Sequence, residues 1–100
     1  MWIIGELMDI IQLVSIPVIS RDVVGRIYDQ EGVLVNTRKA QIKVINEVGA
    51  YIWSIVDGVR SVQEIARVVS TQYDVELDQA EQDTLEFVRD LSQKGLIETI

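Results

Sequence analysis

Alternation of apolar and polar residues divides the chain into a strand-rich first half and a helical second half. After Pro17, β-branched residues form three short runs separated by turn-forming residues, a pattern that predicts a small antiparallel meander. The runs are Val23–Tyr28, Val33–Val35 and Gln41–Ile45, and the turns are expected at Gln30–Gly32 and Asn36–Arg38. Side chains alternate along the third run, so one face should be buried and the other partly wet, and we expect Val44 to contribute to the fold.

From Asn46 onward, apolar residues recur at intervals of three and four, which predicts helices. The first helical pattern ends at Asp57 and Gly58. The second begins at Ser61, whose spacing to Glu64 predicts a capping box, a reciprocal exchange of side-chain hydrogen bonds at a helix start.

The third helical pattern begins at Asp78, which has the same spacing to Glu81, and it ends before Gly95, which stands where a C-cap glycine belongs. Its apolar stripe consists of Ala80, Thr84, Phe87, Val88 and Leu91. Two short helices joined by a tight glycine-containing connection, after strands, predict a winged helix-turn-helix-like α+β fold. We therefore expect one domain over residues 16–100, with a three-stranded antiparallel sheet followed by three helices.

Residues 1–15 form an amphipathic extension in front of this domain. Polar residues at positions 5, 6, 9 and 12 lie on one side of a helical wheel, and apolar residues lie on the other. The segment has no basic start, and it is too short for a membrane span, which takes ~20 apolar residues. We predict an extra N-terminal helix that packs on the outside of the sheet or across a partner chain, and a homodimer is the simplest such arrangement.

Composition and charge exclude several functions. The chain has no cysteine and no histidine, and its formal net charge is −7. Disulfides, Cys/His zinc sites and a Ser-His-Asp triad are excluded, and carboxylate pairs alone do not define an enzyme. We expect no catalytic residue, no metal, no cofactor and no membrane contact, and the absence of cysteine is compatible with the cytoplasmic location that we expect.

DNA binding is disfavoured by the charge of the third helix. Its acidic residues outnumber its basic ones, so DNA phosphates would repel it. These acidic residues are Glu81, Asp83, Glu86 and Asp90.

An ordered set of residues carries a family resemblance. The set is Ile45-Asn46, Ala50, Ile52, Trp53, Asp57-Gly58, Glu64-Ile65-Ala66, Tyr73, Leu91 and Gly95-Leu96. It resembles the pyrroloquinoline-quinone biosynthesis protein D (PqqD) family over roughly residues 20–100. That family supplies the RiPP recognition element, a small domain that binds leader peptides of ribosomally synthesised and post-translationally modified peptides (RiPPs). The N-terminal extension and the turn Asn36–Ala40 depart from the family pattern.

The resemblance implies a binding site at the third predicted strand. A leader peptide would add to the edge of this strand and lie between it and the third helix. The edge residues are Arg38, Lys39, Ala40, Gln41, Ile42, Lys43, Val44 and Ile45, and the helix residues are Glu81, Leu85, Val88, Arg89 and Ser92. Independently, an open strand edge offers unpaired N–H and C=O groups to an extended peptide.

Two assignments within this site stay open. Lys43 is the first choice of edge-facing donor, and Ile42 or Val44 would take that place if Lys43 faces the second strand. Leu85 is either a groove residue or the flank of a wide buried stripe.

The predicted function is a non-catalytic adaptor that captures the leader of a precursor peptide and presents it to a modifying enzyme, such as a radical enzyme, a protease or a cyclase. The alternative is a winged-helix-derived interaction or regulatory module that acts by dimerisation or through another protein. A precursor gene and a modification gene beside this one would favour the adaptor.

Overall fold

The structure, a computed structural model, describes residues 11–100. In this range the chain forms three helices and two antiparallel sheets. The elements in chain order are β1 (Pro17–Ile19), β2 (Val23–Tyr28), β3 (Glu31–Asn36), β4 (Gln41–Ile45), α1 (Glu47–Ile55), α2 (Val62–Tyr73), α3 (Leu77–Gln93) and β5 (Ile97–Thr99). The predicted α+β class, with a three-stranded antiparallel sheet β2-β3-β4 and three helices, is confirmed. The predictions for residues 1–10, including their part in a helix and a homodimer, lie outside the described residues.

β2 and β3 are joined by a shorter turn than the one expected at Gln30–Gly32. Asp29 and Gln30 have positive φ angles of 47° and 70°, the type I′ geometry that two-residue hairpins favour. Gly32 therefore belongs to β3, where an added Cβ would lie only 2.7 Å from the Ile27 side chain. Close packing within the sheet, and not the turn, requires glycine at this position.

The two ends of the described chain meet in a second, two-stranded sheet. β1 pairs antiparallel with β5, with Pro17 opposite Thr99 and Ile19 opposite Ile97. The sequence indicated only a helix break at Pro17, because a strand of three residues is too short to show a periodicity. Proline at the first position of such a strand leaves the remaining ladder bonds intact.

Side-chain caps start the first two helices. The Asn46 Oδ1 atom accepts the N–H of Gly49 at 2.9 Å in front of α1, which ends at Ile55, shortly before the predicted stop. The predicted capping box of α2 is confirmed: Ser61 Oγ accepts the N–H of Glu64 at 3.2 Å, and the Glu64 carboxylate accepts the N–H of Ser61 at 2.9 Å.

α3 starts without the predicted cap. Its N-cap is Glu76, which makes no side-chain capping bond, and Asp78 lies inside the first turn, where a carboxylate suits the positive end of the helix dipole. Glu81 cannot complete a box because it lies beyond the N3 position of a helix whose N-cap is Glu76, and its carboxylate accepts a hydrogen bond from Gln63 of α2 at 3.3 Å. The C-terminus agrees with the prediction, since Gly95 closes α3 with a φ of 70°.

The segment in front of β1 is not helical and packs on helices of its own chain. The carbonyl oxygens of Leu13 and Ser15 accept the N–H groups of Gln63 and Val62, both at 2.9 Å. These N–H groups lie in the first turn of α2 and have no partner inside the helix. Ile11 is buried in the core. Residues 11–15 thus cap α2 and do not lie on the outside of the sheet as expected, and their part in a homodimer stays a prediction.

Asn36, at the end of β3, is a buried amide that connects the sheet with α3. Its Nδ2 donates to the Gly95 carbonyl at 2.7 Å, and its Oδ1 accepts the N–H groups of Arg38 and Lys39, both at 2.9 Å. Only 2% of the residue is exposed. One side chain thus stabilises the β3–β4 turn and holds that turn against the end of α3.

We expect Asn36→Ala to lower the free energy of unfolding by about 2–4 kcal/mol, because it leaves backbone groups at a buried site without partners. Chemical denaturation measures this loss. Thr37→Ala is the matched control: Thr37 is exposed and its hydroxyl donates a single bond, to the Asp22 carbonyl at 3.0 Å, so its loss should stay below about 1 kcal/mol. Similar losses from both variants would contradict the central role of Asn36.

Candidate functional site

The type I′ turn determines which way the backbone groups of β3 point. A two-residue hairpin closes on a hydrogen-bonded pair, here Tyr28 opposite Glu31. Hydrogen-bonded and non-hydrogen-bonded pairs alternate along an antiparallel ladder. The backbone of Glu31 therefore faces β2, and the backbone of the next residue, Gly32, faces β4.

The same alternation continues into β4, which has an open edge: in the described part of the chain no strand pairs with it. Lys43 lies opposite Leu34, whose backbone faces β4, so the Lys43 backbone is engaged with β3. The backbone groups of Ile42 and Val44 point to the open edge. The prediction that Lys43 provides the edge donor is therefore wrong, and the register supports its alternatives.

The side chains of Ile42 and Val44 lie on the outer face of the sheet, 64% and 67% exposed. The expectation that Val44 contributes to the fold is wrong, because Ile45 provides the buried contact of β4. Val33, which lies opposite Val44, and Val24, on the same face of β2, are also exposed. The open edge therefore adjoins an apolar surface.

On its inner face, β4 lies beside one flank of α3. This flank carries Phe87, Asp90 and Lys94, which lie within about 60° of one another around the helix. Phe87 lines a cleft of about 330 Å³ together with Lys43 and Ile45. Lys43 Nζ lies 3.0 Å from Asp90 Oδ2, and Lys94 Nζ lies 2.6 Å from Asp90 Oδ1. We call the space between β4 and this flank the β4–α3 groove.

Three helix residues predicted from the sequence lie on the opposite flank of α3. Glu81 binds α2, and Arg89 donates two hydrogen bonds to the Ile11 carbonyl at 2.8 and 3.2 Å. Leu85 packs against the core about 160° from Phe87 around the helix. The prediction that Glu81 and Arg89 line the groove is wrong, and the helical period assigns Leu85 to the flank of the buried stripe.

The other predicted residues divide between the core and the turn. Val88 is fully buried in the core and cannot contact a peptide. Ala40, with a φ of 55°, and Gln41 are exposed at the β3–β4 turn. Ser92 lies in a second cleft, of about 370 Å³, at the turn end of the groove. Both basic and acidic residues line this cleft: Arg38 and Lys39 lie there with Asp22 and Glu98.

Sequence reasoning missed the groove flank for an identifiable reason. The apolar stripe predicted for this helix includes Phe87, and the acidic surface that disfavours DNA includes Asp90. A second stripe at intervals of three and four, Asp83, Phe87, Asp90 and Lys94, runs beside the core stripe. Such a mixed stripe is the signal that indicates a partly exposed flank.

The carboxylate of Asp90 connects the two walls of the groove. Partial burial opposes its ionisation, but hydrogen bonds from Lys94 and Lys43 outweigh this effect and hold the pKa of Asp90 below its ordinary value. The three charged side chains are each about one-third exposed. The salt bridge between Asp90 and the two lysines is therefore solvent-accessible, and a ligand carboxylate can exchange with the Asp90 carboxylate.

Neither a metal site nor a membrane span is found in the described residues. No group of three or more His, Cys, Asp or Glu side chains within residues 11–100 could hold a metal ion. Over the same range, none of the helices is long and apolar enough to cross a membrane.

The family model of coenzyme PQQ synthesis protein D (PqqD) matches residues 31–97 of the chain. This range contains β4 and α3, the two walls of the groove. No curated protein sequence matches the chain.

Three solved structures share the fold. TbiB1 in complex with the TbiA(beta) leader peptide is 31% identical, with a TM-score of 0.73 over 80% of this chain and 93% of that chain. A lasso peptide synthetase B1 complexed with the leader peptide is 22% identical, with a TM-score of 0.72 over 83% of this chain and 98% of that one. The PqqD truncation of Methylobacterium extorquens PqqCD, a stand-alone RiPP recognition element, is 22% identical, with a TM-score of 0.76 over 91% and 97%.

The bridge should make stability depend on pH through Asp90. The pKa of Asp90 is lowered in the folded state. The ionised carboxylate therefore adds to the free energy of unfolding above the ordinary aspartate pKa, and this contribution is lost as the pH falls through the lowered pKa. We expect Asp90→Asn to cost no more than about 1 kcal/mol at neutral pH. The difference from the parent should shrink toward zero as the pH falls below about 4, the ordinary pKa of aspartate.

Denaturation curves at neutral and acid pH test this expectation. Asp83→Asn is the matched control for loss of one carboxylate charge. Asp83 is exposed on the same helix, and its carboxylate accepts a hydrogen bond from Gln79 at 2.8 Å. A difference between parent and Asp90→Asn that stays constant down to about pH 2 would contradict the role of the bridge.

Proposed function

The chain belongs to the PqqD family, and from this premise we propose that it is a non-catalytic adaptor that binds the leader segment of a ribosomally made precursor peptide. A similar structure with 31% sequence identity holds a leader peptide. We extend leader-peptide binding to this chain because its own edge and groove have the chemistry that an extended peptide needs.

The open edge of β4 is the observation that carries this proposal. Ile42 and Val44 direct unpaired N–H and C=O groups outward, so a peptide can continue the sheet as a further antiparallel or parallel strand. Alternate side chains of that peptide would point into the β4–α3 groove. Backbone bonds supply affinity in this mode, and the groove supplies selectivity.

We further propose that the loaded adaptor presents the peptide to a separate modifying enzyme in the cytoplasm, such as a radical enzyme, a protease or a cyclase. The chain has neither histidine nor cysteine, the usual residues for acid–base and nucleophilic chemistry near neutral pH. The chemistry would therefore come from the partner. We also propose that the three helices and the sheet form a winged helix-turn-helix-like fold.

Val44→Pro tests strand addition. It removes a donor that points out of the sheet, while β3 loses no ladder bond, and proline is tolerated at such edge positions. We expect the affinity to fall at least about tenfold, since a backbone bond is lost and the ring obstructs the added strand. The measurement is a fluorescence-anisotropy titration with a labelled candidate leader peptide.

The opposite edge of the same sheet provides the control. Ile27 lies next to the hydrogen-bonded Tyr28, so its backbone points to the free edge of β2. Ile27→Pro should bind the leader as the parent does, and circular dichroism should confirm that both variants are folded. Parent-like binding by Val44→Pro, or equal losses in both folded variants, would reject the β4 edge as the site.

The groove wall is tested by a pair of substitutions on α3. Phe87→Ala removes the apolar wall of the cleft and should weaken leader binding by about 1–3 kcal/mol, the range for an apolar anchor at an interface. Leu85→Ala removes a similarly half-buried side chain from the opposite flank and should leave the affinity of the folded fraction unchanged. A stronger effect of Leu85→Ala in the same titration would show that the peptide lies on the other flank.

A further inference from the structure

Charge is unevenly distributed along the β4–α3 groove. Near the β3–β4 turn, Lys43 and Lys94 meet at Asp90, and the Lys39 ammonium lies over the end of α3, where a Cβ on Gly95 would be 3.1 Å from its Nζ. Three of the nine basic residues thus lie at this end of the groove, and Asp22 and Glu98 line the cleft beyond them.

Beyond Lys43, the other end of the groove carries acidic side chains. Glu31 lines the Phe87 cleft next to Asn46, and Asp83 lines an adjoining cleft of about 290 Å³ that also contains Phe87 and Asn46. An acidic peptide side chain would be repelled there and attracted at the turn end. The groove therefore distinguishes its two ends electrostatically.

The basic end is able to bind one more carboxylate. Lys43 and Lys94 share the single carboxylate of Asp90, so two positive charges and one negative charge leave a net charge of +1. Each ammonium has three donors and no acceptor. A peptide carboxylate can therefore bind these ammoniums beside Asp90 or in exchange with it, whereas a peptide lysine would find one carboxylate that is already doubly bonded.

The spacing between the basic and apolar subsites follows from the strand. Lys43 and Ile45 point to the same face of β4 and are two residues apart, about 7 Å. A peptide strand beside β4 has the same rise, so its residues at positions i and i+2 face Lys43 and the Phe87 cleft. The residue between them faces outward beside Ile42 and Val44, the apolar residues of the outer face.

We propose that the β4–α3 groove selects peptides in which an acidic side chain lies two residues from a large apolar side chain, with the acid at the Lys43 and Lys94 end and the apolar residue in the Phe87 cleft. This inference rests on the proposed function and specifies its ligand. The spacing between the acidic and the apolar residue is the same whether the peptide runs parallel or antiparallel to β4. The order of these two residues in the peptide sequence shows which direction it takes.

A random linear peptide library, displayed on phage and long enough to span the five residues of β4, tests the proposal and does not require the natural leader to be identified first. The full chain is the bait. Enriched peptides should contain Asp or Glu two positions from Leu, Ile, Phe, Tyr or Trp more often than the input library. Replacing that Asp or Glu by its amide in a synthetic enriched peptide should weaken binding about tenfold, as expected for loss of a charge-assisted hydrogen bond.

Charge reversal in the chain identifies the subsite. Lys43→Glu leaves the backbone register unchanged and should shift the selected residue from Asp or Glu to Lys or Arg. Arg67→Glu, at an exposed position of α2 outside the groove, changes the net charge equally and should select the same peptides as the parent. Asp90→Asn should tighten binding of the acidic peptides, because it removes their competitor.

The outcomes separate this inference from the proposed function. Suppose that the enriched peptides lose binding to Val44→Pro and yet contain no excess of Asp or Glu. That result would reject the proposed selectivity for an acidic residue and would still support the adaptor function. If Lys43→Glu and Arg67→Glu both lose the preference for an acidic residue to the same extent, the preference comes from the net charge of the chain. That result would also reject the subsite at Lys43 and Lys94. No enrichment on the parent chain, or enriched peptides insensitive to Val44→Pro, would overturn both.

Discussion

The geometry of the groove depends on one buried carboxamide. Asn36 donates to Gly95 at the end of α3 and accepts from the N–H groups of Arg38 and Lys39 in the β3–β4 turn. A carboxamide can donate and accept at the same time, which neither a carboxylate nor an apolar side chain of similar size can do. Because β4 follows directly from this turn, the same contact sets how far the edge strand stands from α3. The walls of the groove are thereby fixed before any ligand arrives.

A second constraint is the alternation set by the hairpin. The two-residue turn at Asp29 and Gln30 decides which backbone groups of β3 face β4, and hence that Ile42 and Val44 face the open edge. A slip of one residue would exchange both the edge donors and the faces of every side chain. The edge donors therefore belong to residues with exposed apolar side chains, while Lys43 and Ile45 are directed to the groove.

Charge gives this site its character within an acidic protein. The chain has 16 acidic and 9 basic residues, and four of the basic ones border the groove or its turn-end cleft. These four are Arg38, Lys39, Lys43 and Lys94. The acidic outer surface disfavours nucleic acid, and the local basic end favours a carboxylate. Net charge alone would not have indicated this, because Lys94 joins the sequence neighbours Arg38, Lys39 and Lys43 only in the folded chain.

The sequence by itself determined the order of β2, β3, β4 and the three helices, whereas β1 is too short to show a periodicity. Three β-branched runs, the capping box at Ser61 and Glu64, and the glycine after α3 are local signals, and local signals depend on neighbours within a few residues. They predicted the α+β class and the three-stranded sheet correctly. What they could not give is the set of residues that face one another across the groove. Only the tertiary structure decided that Phe87, and not Leu85, borders β4, because two flanks of one amphipathic helix are equivalent until the sheet packs against one of them.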